Sequence, residues 1–241
     1  MSESNLINVD SAMAHVPAGL DTTVIIKDQN GTPLSFRQYM PIILKKEGMI
    51  YREKNSLRLQ RFTKSAIDSL ERDNKAIARP NRWVWYRNRD SKTINDCFKH
   101  AADIFAAVDS IIVFKNARIM YLRKNRQNIF QFNIDLGRNP VGDKISEGDN
   151  RTPEGVYYLD NKWERNDKYY KSFWISYPNK VDIAEASMQN VKPGIGVMIH
   201  GTPDYRKNAK DWTNGCIALQ NKDMDTLFKY VLAGTVINIK K

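Results

Sequence analysis

Three segments decide the fold class: Ile111-Ile112-Val113-Phe114, then Arg118-Ile119-Met120-Tyr121-Leu122, then Phe130-Gln131-Phe132-Asn133-Ile134-Asp135-Leu136. In the last, apolar residues take every second position over seven residues. Successive side chains of a strand point to opposite faces, so this period marks a strand with one buried face. Lys115-Asn116-Ala117 and Lys124-Asn125 separate the segments and read as turns. Short apolar runs at 156–159, 173–177, 197–200 and 236–239 read as further strands. Several short strands with turn signals between them predict an antiparallel sheet or sandwich.

Upstream of Ser110 the pattern changes. Residues 1–20 are polar, end in Pro17-Ala18-Gly19 and read as loosely attached. Residues 24–26 suit a short strand closed by Asn30-Gly31. The segment 36–46 is helical in pattern but carries Pro41, which should kink or split it. Leu59, Phe62, Ala66 and Leu70 share one helical face, predicting a helix over 56–75, and Pro80 ends that region. A second amphipathic helix is expected near 92–107, with Ile94, Cys97, Phe98, Ala101 and Phe105 on its apolar face. Later, a short helix fits 181–190. A longer one follows Asn221 as N-cap, with Met224, Leu227, Phe228 and Val231 inward and Gly234 as its stop. The expected architecture is therefore α+β: a mainly helical N-terminal region over 1–107, then a mostly antiparallel, β-sandwich-like domain over 108–241.

The chain has 241 residues, enough to bury a substantial core, and its 41% hydrophobic and 27% charged content is that of a globular protein. A net charge of +11 favours polyanionic partners: nucleic acid, anionic lipid or an acidic wall polymer. The basic residues are scattered, and no zinc-finger or RNP pattern occurs, which argues against nucleic acid. No apolar run is long enough to span a membrane. Residues 1–19 lack the basic start and apolar stretch of a secretory signal. No close set of His, Cys and carboxylates suggests a metal, and no cofactor motif appears.

Chemistry is sought among the scarce residues. The chain has two cysteines and three histidines. Cys97 falls on a packing face and reads as a buried structural thiol. His15 lies in the loose N-terminus and His100 on the outer side of the predicted helix. His200 ends an apolar strand, is followed by Gly201, and lies fifteen residues before Cys216. Cys216 sits in Trp212-Thr213-Asn214-Gly215-Cys216-Ile217-Ala218-Leu219. A glycine before a cysteine opens space at the thiol and lets consecutive N–H groups point one way, as an oxyanion site needs. A nearby imidazole can take the thiol proton. By residue chemistry alone two readings stand: a Cys/His acyl-transfer pair, or a core thiol and a strand-end histidine.

Ile199-His200-Gly201, a spacer, then Thr213-Asn214-Gly215-Cys216-Ile217 resembles the L,D-transpeptidase catalytic domain (the YkuD family), which has a His-Gly pair followed by Ser/Thr-X-Gly-Cys. A second block agrees: Gly137-Arg138-Asn139-Pro140, Gly142-Asp143-Lys144, Gly148-Asp149 and Arg151-Thr152-Pro153-Glu154-Gly155-Val156-Tyr157 are similar to that family's Gly…Lys…Gly-Asp…Thr-Pro-Glu-Gly-X-Tyr stretch. The resemblance covers about 108–239. It departs from the commonest motif at Asn214, where that motif has histidine, and at Ala218, where it has arginine. The resemblance implies a peptidoglycan stem peptide as partner, Cys216 as nucleophile, His200 as base, and an envelope or periplasmic setting. Backbone N–H groups of Asn214, Gly215 and Cys216 are then the expected oxyanion donors, beside Thr213 and Gly201. A carbonyl near Gly201 is the expected orienter of His200, and Arg151 or Lys144 would hold the donor carboxylate. Thr152 to Gly155 and Trp212 are candidates for the cleft wall. The acceptor can be an amine, giving transfer, or water, giving an L,D-carboxypeptidase or other hydrolase. Residues 1–107 carry no recognised motif and suit a lid, a wall-binding module or a delivery segment, the last implying a secretion partner and an antibacterial effector. The rival class is a non-catalytic wall-binding protein.

Overall fold

The computed structural model describes residues 8–53, 56–62, 93–164, 167, 169–232 and 234–241. The chain divides into two compact units, Met1–Ala106 and Ala107–Lys241. Its class is α+β, as the patterns predict.

The first unit contains α1 (Val9–Ala14), β1 (Ile26–Lys27), β2 (Pro33–Leu34), α2 (Phe36–Leu44), β3 (Gly48–Glu53), β4 (Ser56–Arg61) and α3 (Ile94–Ala106). Its four strands form a sheet in the order β2-β1-β4-β3. The stretch read as loose holds α1, capped by the Asn8 side chain on Ser11 N–H. Helix α2 runs through Pro41 as one element, its start closed by a capping box of Ser35 and Gln38. The predicted helix over 56–75 is wrong for residues 56–61, which form β4 and pair antiparallel with β3 from Gly48↔Arg61 to Glu53↔Ser56. Leu57 and Leu59 also alternate, and pairing with the preceding strand overrides the helical spacing. Residues 63–75 and Pro80 lie outside the described residues. Helix α3 buries Cys97, Phe98, Ala101, Ile104 and Phe105. Ile94 is half-buried at its start.

The second unit is built on one eight-stranded sheet. Its strands are β5 (Ser110–Phe114), β6 (Ile119–Lys124), β7 (Gln127–Asn133), β8 (Gly155–Glu164), β9 (Lys171–Ile175), β10 (Met198–Gly201), β11 (Ile217–Leu219) and β12 (Val236–Lys240). They run in the order β11-β10-β9-β8-β12-β5-β6-β7. Only β10–β11 and β12–β5 pair in parallel among these neighbours. The alternation read at 130–136 becomes burial of Phe132, Ile134 and Leu136, and from the apolar runs Ile111, Val113, Met120 and Leu122 also enter the core. Each such side chain contributes about 1.5–3 kcal/mol on transfer from water. The β6–β7 turn places Asn125 and Arg126 at φ 50° and 68°, the pair of positive φ values a tight hairpin takes. Helix α4 (Lys180–Met188) starts at Asn179, whose side chain accepts from Val181 and Asp182 N–H. Helix α5 (Asn221–Tyr230) covers the sheet with Met224, Leu227 and Phe228. Its cap is Gln220, not Asn221, which is the first helical residue. The Asn221 side chain is packed against Gly201 instead of folding back on its own helix.

The sheet curls until its ends approach. Beyond β7, Asp135 pairs with Ala218 of β11, and Gly137 with Thr213. This brings the segment 135–155 alongside the loop that leads into β11.

Candidate active site

Cys216 and His200 lie on adjacent parallel strands. The register sets Ile199 opposite Ile217, His200 opposite Ala218 and Gly201 opposite Leu219. Extended back by one residue it places Cys216 beside Met198, whose backbone N–H donates to the Cys216 sulfur. Paired residues share a face, and so do residues two apart on a strand. Both side chains therefore project from the same face. Their backbones are offset by about 4.8 Å across the strands and roughly 6.6 Å along them.

His200 is buried, 2% exposed, with Nδ1 2.8 Å from the Gly201 carbonyl oxygen. A carbonyl only accepts, so Nδ1 carries a proton, and in the neutral ring the lone pair is then on Nε2. The ring lies between Tyr169 (centroids 4.5 Å apart) and Trp212 (5.5 Å), which fix its plane. Cys216 is half-buried, with Sγ 3.8 Å from the Gly196 carbonyl oxygen. Burial pushes its thiol up, outweighing the Met198 N–H and the Lys144 charge, which pull it down. The resting sulfur is thus a thiol near neutral pH.

The loop before Cys216 is tied through one hydroxyl. Thr213 Oγ1 accepts from Gly215 N–H at 3.0 Å and donates to the Cys216 carbonyl oxygen at 2.7 Å. Gly215 has φ 128°, and a Cβ there would lie 2.6 Å from the Arg151 carbonyl oxygen. A Cβ on Gly137 would lie 2.0 Å from the Asn150 carbonyl oxygen. The two glycines let the backbones of 137, 150–151 and 215 touch. Gly215 N–H is already engaged, which leaves Asn214 and Cys216 N–H of the three groups the motif brought forward.

Asp211, at φ 46°, precedes this loop. It takes Arg118 through both oxygens at 2.7–3.1 Å and accepts from Leu136 N–H at 3.0 Å. Asp135, raised by burial, accepts from Asp211 N–H at 3.2 Å. Lys115, 1% exposed, donates to the carbonyls of Gly142 and Thr152 and to Glu154. Thr152 Oγ1 accepts from Gly137 N–H at 3.1 Å. Thr152 to Gly155 is thus the internal frame of the 137–155 wall.

The two expected carboxylate holders are placed differently. Lys144 is buried and donates to Asp149 at 2.7 Å and to the Ser146 carbonyl at 2.9 Å. Arg151 donates to the Asp143 carbonyl at 3.3 Å, and its buried Nε has no hydrogen-bond partner. Gly201 N–H donates to the Tyr169 carbonyl at 3.0 Å. Arg138, Asp211 and Tyr169 belong to the site and were not singled out from sequence. Arg138 donates through Nη2 to Asn214 Oδ1, and its backbone N–H donates to the Thr213 carbonyl at 3.0 Å. Its only sequence signal was membership of the Gly137-Arg138-Asn139-Pro140 block. His15 and His100 lie in the other unit. A cavity of about 440 Å³ lies past the end of β10, lined by residues that include Thr202, Lys207 and Asn221 but not Cys216. Among the described residues no group of three or more His, Cys, Asp or Glu is placed to hold a metal, and no helix is long and apolar enough to cross a membrane.

Comparison with known proteins identifies the family. The family model of the L,D-transpeptidase catalytic domain, YkuD, matches residues 109–239. YafK of Escherichia coli K12 is 29% identical over 132 residues, covering 52% of this chain and 48% of YafK. The chain thus spans about half the length of the curated relatives it matches. Among solved structures, the helical cell shape determining protein Pgp2 of Campylobacter jejuni is 28% identical with a TM-score of 0.45, over 56% of this chain and 48% of Pgp2. Bd1075 of Bdellovibrio bacteriovorus is 27% identical with a TM-score of 0.43, over 56% of this chain and 48% of Bd1075. With its His-Gly strand, its Thr-X-Gly-Cys loop and more than half its length matched, the chain belongs to the YkuD family of L,D-transpeptidase catalytic domains.

Proposed function

We propose that this protein is a cysteine acyltransferase acting on peptidoglycan stem peptides in the cell envelope. The observation that carries the reading is the His200 tautomer: Nδ1–H is held on the Gly201 carbonyl, so Nε2 is the basic nitrogen on the face it shares with Cys216. The half-buried thiol, raised by its surroundings, needs that base.

In the reaction, the Sγ–H proton passes to His200 Nε2 as sulfur bonds to the carbonyl carbon of the third stem residue. The carbonyl π pair moves to oxygen, where N–H groups of Asn214 or Cys216 receive it. The oxyanion then collapses, the C–N bond breaks, and the leaving amine of the terminal D-amino acid takes the proton from His200. A thioester on Cys216 remains. An acceptor amine attacks it, gives its proton to His200, and the sulfur leaves to regain the thiol. A base of this kind is worth about 10²–10⁴-fold in rate and an oxyanion donor about 10²–10³-fold.

The second reading keeps the same thioester and uses water as acceptor, giving an L,D-carboxypeptidase. Asn214 and Ala218, the two departures from the commonest motif, favour keeping it open, since both lie beside the attacking sulfur in sequence. The test is incubation of the full chain with tetrapeptide muropeptides, with and without an added D-amino acid, beside Cys216→Ala, followed by mass analysis. Exchange of the terminal residue supports transfer. Its loss alone supports hydrolysis. Stems left intact by the protein as by Cys216→Ala refute both.

A further inference from the structure

We propose that Arg138 reads a carboxylate of the substrate and sets its position over Cys216. This deepens the stem-peptide reading and rests on it. The argument begins with which cations near the cysteine loop are already occupied. Lys115 sits among two carbonyls and Glu154, and is 1% exposed. Lys144 is paired with Asp149 and is 5% exposed. Arg118 is paired with Asp211 through both carboxylate oxygens. Arg151 has its Nε buried and one Nη on the Asp143 carbonyl. These four build the walls.

Arg138 differs on each count. It is exposed, and among the described residues its side chain makes a single hydrogen bond, from Nη2 to the neutral Asn214 Oδ1. Asn214 is itself exposed and lies two residues before Cys216. The Arg138 backbone is fixed to the same loop through Thr213. The guanidinium is therefore aimed along the cysteine loop by a neutral anchor, with its charge not compensated by a carboxylate there. Four of its five N–H groups remain for a ligand. A planar fork of this kind matches a carboxylate with two parallel bonds. The ligand class is a peptide with a free carboxylate near the scissile amide. In a stem tetrapeptide that carboxylate has two possible sources: the C-terminus of the leaving residue, or the side chain of the third residue.

The experiment uses the full chain carrying Cys216→Ala, so that binding is read without turnover. Three tetrapeptides are titrated by calorimetry: unmodified, C-terminally amidated, and amidated on the third side chain. Each is repeated with Arg138→Ala and Arg138→Lys added. Arg138→Ala is expected to weaken the unmodified peptide about 10- to 100-fold, as loss of a charge-assisted pair does. Arg138→Lys is expected to fall between. Amidating the carboxylate that is read should weaken binding by a similar factor and make Arg138→Ala inconsequential. The arm in which this happens names the source. Unchanged binding in Arg138→Ala, equal and additive losses with every amidation, or no binding of the unmodified peptide would each overturn the inference. A digest in which native protein leaves stems intact while Arg138-dependent binding persists would instead sink the acyl-transfer reading alone. A thermal melt of Arg138→Ala should match that of its parent, since the side chain is exposed.

Discussion

At the scale of the residue, the site is a protonated thiol beside a histidine with one assigned nitrogen. The raised Cys216 thiol predicts slow labelling: with iodoacetamide at neutral pH, Cys216 should react more slowly than a free cysteine, and the rate should climb as pH passes the ordinary thiol range. Rapid labelling at pH 6, followed by mass spectrometry, would contradict it. His200→Ala should reduce turnover about 10²–10⁴-fold and, because it empties a buried position packed against Tyr169 and Trp212, also lower the melting temperature. Gly215→Ala should do both kinds of damage. At φ 128° with the Arg151 carbonyl 2.6 Å from the added carbon, the loop must move, at about 1–3 kcal/mol of stability and with loss of activity, read by melting and by digest. Cys216 and His200 stood out as candidates in sequence because their types are scarce, but it was the His-Gly and Thr-X-Gly-Cys motifs that favoured a catalytic pair over a core thiol and a strand-end histidine. Arg138 did not stand out: it is one of 38 basic residues, and its partner Asn214 lies 76 positions away.

At the scale of the element, period two survives in the sequence at 130–136, whereas 110–114, 119–124 and 236–240 were legible as short apolar runs between turns, and their alternation emerges only as burial in the folded sheet. Strand β4 was not legible, because Leu59 suits both a helical face and a strand face, and the choice is made by β3. The loop into β11 is likewise settled by distant partners. Asp211 joins it to Arg118, 93 positions earlier, and to Leu136 N–H. Asp211→Asn keeps the shape but removes the charge. It should cost about 1–2 kcal/mol, discounted for the pair's partial exposure, and lower turnover more than it lowers stability. Equal activity at equal protein concentration would show that the clamp does not position Cys216.

At the scale of the molecule, the wall 137–155 depends on charge at Asp149. Burial pushes that carboxyl up, but hydrogen bonds from Lys144 Nζ and from Arg151, Ser146 and Ile145 N–H prevail and hold it below its ordinary value. A carboxyl lowered in the folded state contributes stability above its unfolded pKa of about 3.9, and loses that contribution as pH falls through the lower folded value. The Asp149 contribution should therefore be lost below about pH 4. Asp149→Asn should be less stable at neutral pH and flatter across that acid range, as followed by circular dichroism. We also expect residues 107–241, expressed alone, to unfold in one sigmoidal transition, since they hold a continuous core of their own. A broad, non-cooperative melt would count against that division.

The Asp135–Ala218 bridge has a stereochemical consequence. Asp135 N–H donates to the Ala218 carbonyl and Ala218 N–H donates to the Asp135 carbonyl, so the outer side of β11 at that residue is closed. A peptide cannot be recognised there by adding itself as another strand. Strand addition reads a run of one chirality, because a residue of opposite hand turns its side chain and its peptide groups out of the ladder. With that route shut beside the nucleophile, recognition falls to side chains and end groups, which are indifferent to a regular backbone. A chain alternating between L and D centres loses nothing under such a regime, whereas an ordinary all-L peptide gains nothing from its capacity to form β-structure. We therefore expect an all-L peptide able to form β-structure to gain no affinity at this edge over one alternating L and D centres, as a binding titration of the two would read.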